Sequence, residues 1–214
     1  VNPNPAGDKH ATVVNGVIRG TGAIEEAGWY VIPTLKPHIR LHIDNPGWQV
    51  NLNESEGYFN ISNERAGGIR DNVFSIVNYT QGFDPSKSLA ETSARVKPSE
   101  DVVSYLRANP HLRVQHVVNR TIGGVPAVQV QVTGLSEQPG IRQLQNKLEG
   151  PCGGPRCGAA LVYNSFFSPV TPVGITERLI FFDVRGHHFV IENLSTSPSA
   201  QTRALIRSIR FPSF

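Results

Sequence analysis

The side chains best placed for chemistry lie at residues 38–44, reading His38-Ile39-Arg40-Leu41-His42-Ile43-Asp44. Strict alternation puts His38, Arg40, His42 and Asp44 on one face of a strand, and Ile39, Leu41 and Ile43 on the other. Arg40 offers a planar fork for a carboxylate or phosphate, and the two imidazoles add donors. Trp29 and Tyr30, just upstream, supply apolar area at small entropic cost. The candidate ligand-binding set is therefore Trp29, Tyr30, His38, Arg40 and His42, suited to an anionic partner. The same residues also fit the solvated face of a half-exposed strand. Four strand residues hold His38 and His42 about 13 Å apart, too far to chelate one metal together.

Other reactive groups are fewer. His187 and His188 are adjacent and must point to opposite faces of a strand. A two-residue turn at Arg185-Gly186 sets His188 opposite Asp183, either a hydrogen-bonded pair or half a metal site. No third ligand is evident, so no metal is assigned. His111 and His116 fall on different faces of one strand. Glu177 and Asp183 are the carboxylates that a hydrolase reading would need. No Gly-x-Ser-x-Gly, His-Glu-x-x-His or phosphate-loop pattern occurs. Gly20-Thr21-Gly22-Ala23 resembles a dinucleotide loop in outline, but the third glycine and the acidic ribose partner are missing. No catalytic residue and no cofactor is expected. Cys152 and Cys157 are the only cysteines, in Gly-Pro-Cys-Gly-Gly-Pro-Arg-Cys-Gly. Two thiols cannot complete a zinc site, and the glycines and prolines suit the tight turn of a disulfide. A bridge is expected there, pointing outside the cytoplasm; free thiols in a loop are the alternative.

Composition bounds the function classes. The net charge is +3 with no block of like charges, so nucleic acid is not indicated. Hydrophobic residues make up 39% of the chain and are spread along it, which excludes wholesale disorder. Arginine outnumbers lysine 15 to 5, and because the arginines are scattered the bias reads as codon usage. No apolar run is long enough to span a bilayer. The chain has no methionine and opens Val1-Asn2-Pro3-Asn4-Pro5, which suggests a processed or truncated product. A removed signal peptide or membrane anchor is the economical explanation, and an extracytoplasmic location follows; membrane contact would come only through that removed anchor.

These side chains need elements to position them. Residues 1–27 read as a tail or linker with a possible first strand at 13–19, and residues 28–214 as one α+β domain. Trp48, Val50 and Leu52 line one side of a strand; 57–62 and 72–79 are further strands, together an antiparallel meander. Leu89 to Val96 suggests a short helix. Ser99 is the expected N-cap of a helix carrying Val102, Val103 and Leu106, which Asn109-Pro110 stops. Leu112 to Asn119 and Val125 to Thr133 are strands joined at Gly123-Gly124, the second with Val128, Val130 and Val132 buried and Gln129 and Gln131 wet. Residues 134–160, with Ile141, Leu144 and Leu148 at helical spacing, read as a disulfide-bearing insertion, and Tyr163 to Phe167 as an extended piece. Ile175 to Val184 and His187 to Leu194 form the best hairpin, with the apolar run Leu179 to Phe182 central and covered on both faces. Ser197-Pro198 opens a last helix whose Leu205, Ile206 and Ile209 face inward and whose Arg203, Arg207 and Arg210 lie outside. The expected core is Ile39, Leu41, Ile43, Phe74, Ile76, Val128, Val130, Val132, Leu179, Phe181 and Val190.

The pattern carries a resemblance. Val102 to Val114, then Ile122-Gly123-Gly124-Val125-Pro126-Ala127, is similar to a group of secreted or membrane-anchored actinobacterial domains of unknown function. Pro37 to Trp48, the strand Arg178-Leu179-Ile180-Phe181-Phe182-Asp183 and the closing Ile209-Arg210-Phe211 carry the same likeness. Such domains resemble PsbP-like and LpqN-type lipoprotein domains in layout. The resemblance implies a twisted antiparallel β-sheet flanked by helices, an α/β/α sandwich, with an adaptor or ligand-binding role and no established catalysis. The expected function is thus a non-enzymatic domain that binds an envelope protein or a small anionic ligand. The rivals are a hydrolase with an unrecognised carboxylate pair and a purely structural spacer.

Overall fold

The computed structural model describes residues 12–53, 57–63, 73–91, 94–98, 100–143, 158–160, 170–193 and 195–212. Cys152, Cys157, Leu144, Leu148, residues 1–11 and residues 163–167 lie outside them, and with them the expected disulfide and extended piece; the N-cap expected at Ser99 is instead Asp101.

An eight-stranded, wholly antiparallel sheet dominates. Numbering strands in chain order, its members are β3 (Gly22–Ile24), β6 (Trp48–Asn53), β7 (Tyr58–Ser62), β8 (Val73–Tyr79), β11 (Leu112–Ile122), β12 (Val125–Gly134), β15 (Thr176–Val184) and β16 (His187–Asn193). Their spatial order is β11-β12-β15-β16-β8-β7-β6-β3. A second sheet, β1 (Thr12–Val14), β2 (Val17–Arg19), β4 (Gly28–Ile32) and β5 (Ile39–Ile43), runs in the order β1-β2-β4-β5. Short ladders join β9 (Gly82–Phe83) to β10 (Arg95–Val96) and β13 (Ala159–Ala160) to β14 (Val170–Thr171). Helix α1 spans Val102–Ala108 and helix α2 spans Ala200–Ser208.

The large sheet is covered on both faces, but by different things. On one face the inward rows of β6, β7, β8, β15 and β16 meet the small sheet and α2, burying Ile39, Leu41, Ile43, Trp48, Phe74, Ile76, Phe182, Phe189 and Leu205 together. On the other, Val130, Val132, Leu179, Phe181 and Val190 pack against Val102 and Leu106 of α1. The architecture is therefore a sheet-rich sandwich with one short helix on the far side, not a sheet evenly flanked by helices. Among the described residues no helix is long and apolar enough to cross a membrane.

Local chemistry explains most boundaries. Two hairpins close on pairs of positive-φ residues, Gly123-Gly124 (φ 58 and 91) and Arg185-Gly186 (φ 53 and 79), the twist that matches right-handed strands. A third such pair, Asn15-Gly16, splits the single strand expected over 13–19 into β1 and β2. Ile18 and Ile24 are buried, so residues 12–24 are part of the sandwich rather than a linker. Helix α1 is capped by Asp101, whose carboxylate accepts from Ser104 N (3.0 Å) and Ser104 Oγ (2.6 Å), and it ends at Asn109 before Pro110. Helix α2 is capped by Ser199, so Pro198 precedes the cap instead of occupying the first turn. The short helix expected from Leu89 to Val96 gives way to a turn and to the pairing of Arg95–Val96 with Gly82–Phe83. Gln129 and Gln131, expected wet, are half-buried, and Gln129 shares a cavity with residues of α2. Val128, expected in the core, is only half-buried.

After α2 the chain docks on the open edge of β5. Arg40 and Arg210 exchange backbone hydrogen bonds (2.9 and 2.8 Å), and His42 N–H donates to Ser208 Oγ (2.8 Å). The small sheet thus fixes α2 against the large one.

Candidate functional site

The sequence-predicted set divides between two faces of the small sheet. Trp29 pairs with His42 and Val31 with Arg40 across β4 and β5, so Trp29, Arg40 and His42 share the outer face. The Arg40 guanidinium lies 5.4 Å from the Trp29 ring centroid, and the His42 ring meets Trp29 edge-on at 5.1 Å. His42 Nδ1 shares a hydrogen bond with Asp44 Oδ1 (2.9 Å). Tyr30 is not part of this cluster. It pairs with Leu41, faces the core, and its hydroxyl donates to the Glu26 carbonyl (2.6 Å). His38 precedes β5 and is half-buried. Trp29, at 43% exposure, makes this an open surface cluster.

Of the other sequence-stated pairs, His188 does face Asp183, with Nδ1 and Oδ1 2.7 Å apart, and Tyr79 stacks on the imidazole at 5.5 Å. Asp183 also lines a cavity of about 270 Å³ with Tyr79, Glu100 and Phe181. Glu177 and Asp183 do not form a pair. They lie six residues apart on β15, about 20 Å of strand, and Glu177 is buried while Asp183 is exposed. The buried neighbour of Glu177 is Glu192 instead. Thr171 Oγ1 donates to Glu177 Oε2 (2.9 Å), and Glu177 Oε1 has no hydrogen-bond partner among the described residues. Burial, and then the Glu192 charge, push the Glu177 carboxyl well up. Burial pushes Glu192 up to about 7. Neither glutamate lines either of the two cavities described here. Among the described residues no group of three His, Cys, Asp or Glu could hold a metal ion.

The larger cavity, about 610 Å³, lies between α2 and the β11–β12–β15 end of the large sheet. Its size is that of small-molecule sites, about 300–1,000 Å³. Arg120 (β11) and Arg178 (β15) rise from the sheet; Arg203 and Arg207, one turn apart, come from α2. Gln129, Ile122, Ile180 and Ile206 lie between them. Among the described residues that line it there is no carboxylate. Arg203 Nη1 donates to the Pro198 carbonyl, which anchors that side chain at the start of α2. Arg178 Nε is buried and has no hydrogen-bond partner among the described residues. Desolvation, then the charges of Arg120 and Arg203, lower the affinity of Arg178 for its proton.

Like charges gathered with no counter-charge among the described lining residues, one of them with an orphaned donor, cost free energy that a bound anion would recover. Sequence reasoning placed Arg203 and Arg207 outside α2 and took the arginine excess for codon usage. The signal was the excess itself: Arg120, Arg178 and the Arg203–Arg207 pair are far apart in the chain and converge only through β11, β15 and α2.

No protein-family description matches the chain, and no curated protein does either. Among solved structures it is similar to the solution structure of cyanobacterial PsbP (CyanoP) from Synechocystis sp. PCC 6803. That similarity has 10% identity and a TM-score of 0.38, over 98% of this chain and 100% of that one.

Proposed function

We propose that this chain is a non-catalytic, extracytoplasmic binding domain whose α2–sheet groove holds an anionic ligand. The observation that carries the reading is the set Arg120, Arg178, Arg203 and Arg207 around one cavity, with no lining carboxylate among the described residues. Guanidinium groups bind phosphate and carboxylate through paired hydrogen bonds, and a desolvated one binds more strongly than an exposed one. The site holds donors from four directions and no described nucleophile–base pair, which suits holding a ligand rather than transforming it. The extracytoplasmic placement rests on the sequence alone, through the disulfide expected between Cys152 and Cys157.

Calorimetric titration with butyl phosphate tests the binding. Wild-type protein takes up one equivalent, and the Arg178→Gln/Arg207→Gln double variant, folded by circular dichroism, binds at least about tenfold more weakly. Equal affinity in the two proteins contradicts the reading.

A second reading places a protein partner on the outer face of the small sheet. It is favoured by Trp29, exposed beneath the Arg40 guanidinium, since aromatic and arginine side chains dominate interface energies. Arg40→Ala with His42→Ala abolishes capture of such a partner and leaves butyl phosphate binding intact.

A further inference from the structure

The placement of the four guanidinium groups along the groove limits the kind of anion it fits. Resting on the reading of the groove as an anion site, we infer that its ligand is a small molecule with two separated anionic groups, phosphate or carboxylate, one for each end of the groove.

On the sheet side, Arg178 and Arg120 start from opposite ends of the floor. Arg120 is level with Ala127 and Phe182 across the ladders, four residues along β15 from Arg178. Four residues of strand separate those rows by about 13 Å. Helix α2 runs from one end to the other. Arg178 pairs with Asn193, the last residue of β16, from which the chain leads into α2. The helix ends at Ser208, and the carbonyl of the next residue, Ile209, lies against Gly123 at the turn beyond Arg120. Arg203 Nη1 donates back to the Pro198 carbonyl, which holds that guanidinium toward the start of the helix and the Arg178 end. Arg207, one turn on, stands toward Arg120. Each end therefore holds one guanidinium from the sheet and one from the helix.

The two ends are within reach of one small molecule. The charges of Arg120 and Arg203 both act on Arg178, and charge interactions in salt fade beyond about 10 Å. Between the ends, Ile122, Ile180 and Ile206 are buried, so these side chains offer no open surface to a hydrocarbon tail. The half-buried Gln129 amide on the same floor suits a polar linker instead. A single phosphate carries at most about two negative charges, and paired guanidinium hydrogen bonds at one end occupy its oxygens. It leaves the other arginine pair uncompensated, with no carboxylate among the described lining residues to take its place. A second anionic group on the same molecule satisfies that pair without a second loss of translational freedom.

Matched pairs of ligands on the intact wild-type protein test this. Calorimetry at fixed ionic strength compares butyl phosphate with 1,4-butanediol bisphosphate, and hexanoate with adipate; each pair shares one carbon chain and differs by one head. The two-headed member of at least one pair binds about 30-fold or more tightly, at one equivalent, and the pair that shows the gain identifies the head. In the Arg120→Gln/Arg207→Gln variant, folded by circular dichroism, that gain falls below about threefold. A variant that keeps the full gain overturns the inference. Equal affinities within both pairs overturn the two-headed ligand and leave the anion site standing. Pyrophosphate, whose charges are adjacent, binding as tightly as the bisphosphate overturns the separation of the heads. A short oligothymidylate binding more tightly than either two-headed ligand overturns the small-molecule assignment. No binding of any of these anions overturns both this inference and the anion site.

Discussion

Arg178 concentrates the electrostatics of the groove in one side chain. Its guanidinium has given up part of its hydration, feels the charges of Arg120 and Arg203, and keeps an Nε–H with no partner among the described residues. In the anion-free protein this is repulsion without compensation, so Arg178→Gln should hold or raise the thermal midpoint in low-salt buffer. The gain in midpoint that wild type shows on adding butyl phosphate should vanish in the variant. A variant clearly less stable than wild type in the absence of anion would mean that Arg178 is held by attraction instead. The Glu177–Glu192 pair makes a pH prediction. Their carboxyls are raised by burial, Glu192 to about 7, above the unfolded value of about 4.3. The neutral forms therefore favour the folded state. Their contribution is full below the unfolded value and is lost as pH rises through about 7. Denaturant unfolding should show lower stability at pH 8 than at pH 5, and Glu192→Gln should flatten that difference; a wild-type profile rising from pH 5 to pH 8 would refute it. At this scale the sequence disclosed what neighbours along the chain disclose. Ile39, Leu41 and Ile43 are buried as their alternation requires, and His188 meets Asp183 across a two-residue turn. Tyr30 went the other way because its alternation continues that of β4, whose even positions Tyr30 and Ile32 face the core.

The elements follow rules of short range, and they fail where those rules compete. Gly123 sits at φ 58, and a Cβ there would stand 2.5 Å from Phe211 Cε2 and 3.1 Å from the Ile209 carbonyl. Gly124, at φ 91, has open space around it. Both alanine substitutions carry the backbone cost of a left-handed residue, about 1–2 kcal/mol. Gly123→Ala should be the more damaging of the two in chemical denaturation, because it also pushes the C-terminal segment off the hairpin. Equal losses would show that Phe211 moves aside freely. Phe181, in the run Leu179 to Phe182, is enclosed by α1 and packs edge-on against Tyr79 at 6.2 Å. Phe181→Ala should cost about 3–5 kcal/mol, and a shift no larger than that of an exposed control would contradict its central place. The long edge strand β11 carries its own protection: His116 at φ 49 marks a bulge between Gln115 and Val118, which twists the edge away from further pairing. Hairpins with glycine turns were readable because the turn chemistry is local. The Leu89–Val96 segment was not, because its pairing with Gly82–Phe83 is tertiary and overrides a weak helical spacing.

At the scale of the whole molecule, a meander of strands was legible, and its division into two sheets was not. Strands β1, β2, β4 and β5 form a separate layer only because β2 runs parallel to β4 and the chain end after α2 closes on β5, contacts with no mark in local pattern. The same closure creates the groove: α2 is held by the small sheet, and its outward arginines then face those of β11 and β15. A site assembled from three segments spanning residues 120 to 207 is invisible to any reading of spacing along one of them. The central claim is that these four guanidinium groups act together on one anion. It is tested most directly by following the arginine Nε–Hε resonances of labelled wild-type protein through a titration with butyl phosphate. The account predicts that Arg120, Arg178, Arg203 and Arg207 shift along one common saturation curve while Arg40 and Arg113 stay fixed. Unmoved groove resonances, or a uniform unsaturating drift of all 15 arginines, would contradict it.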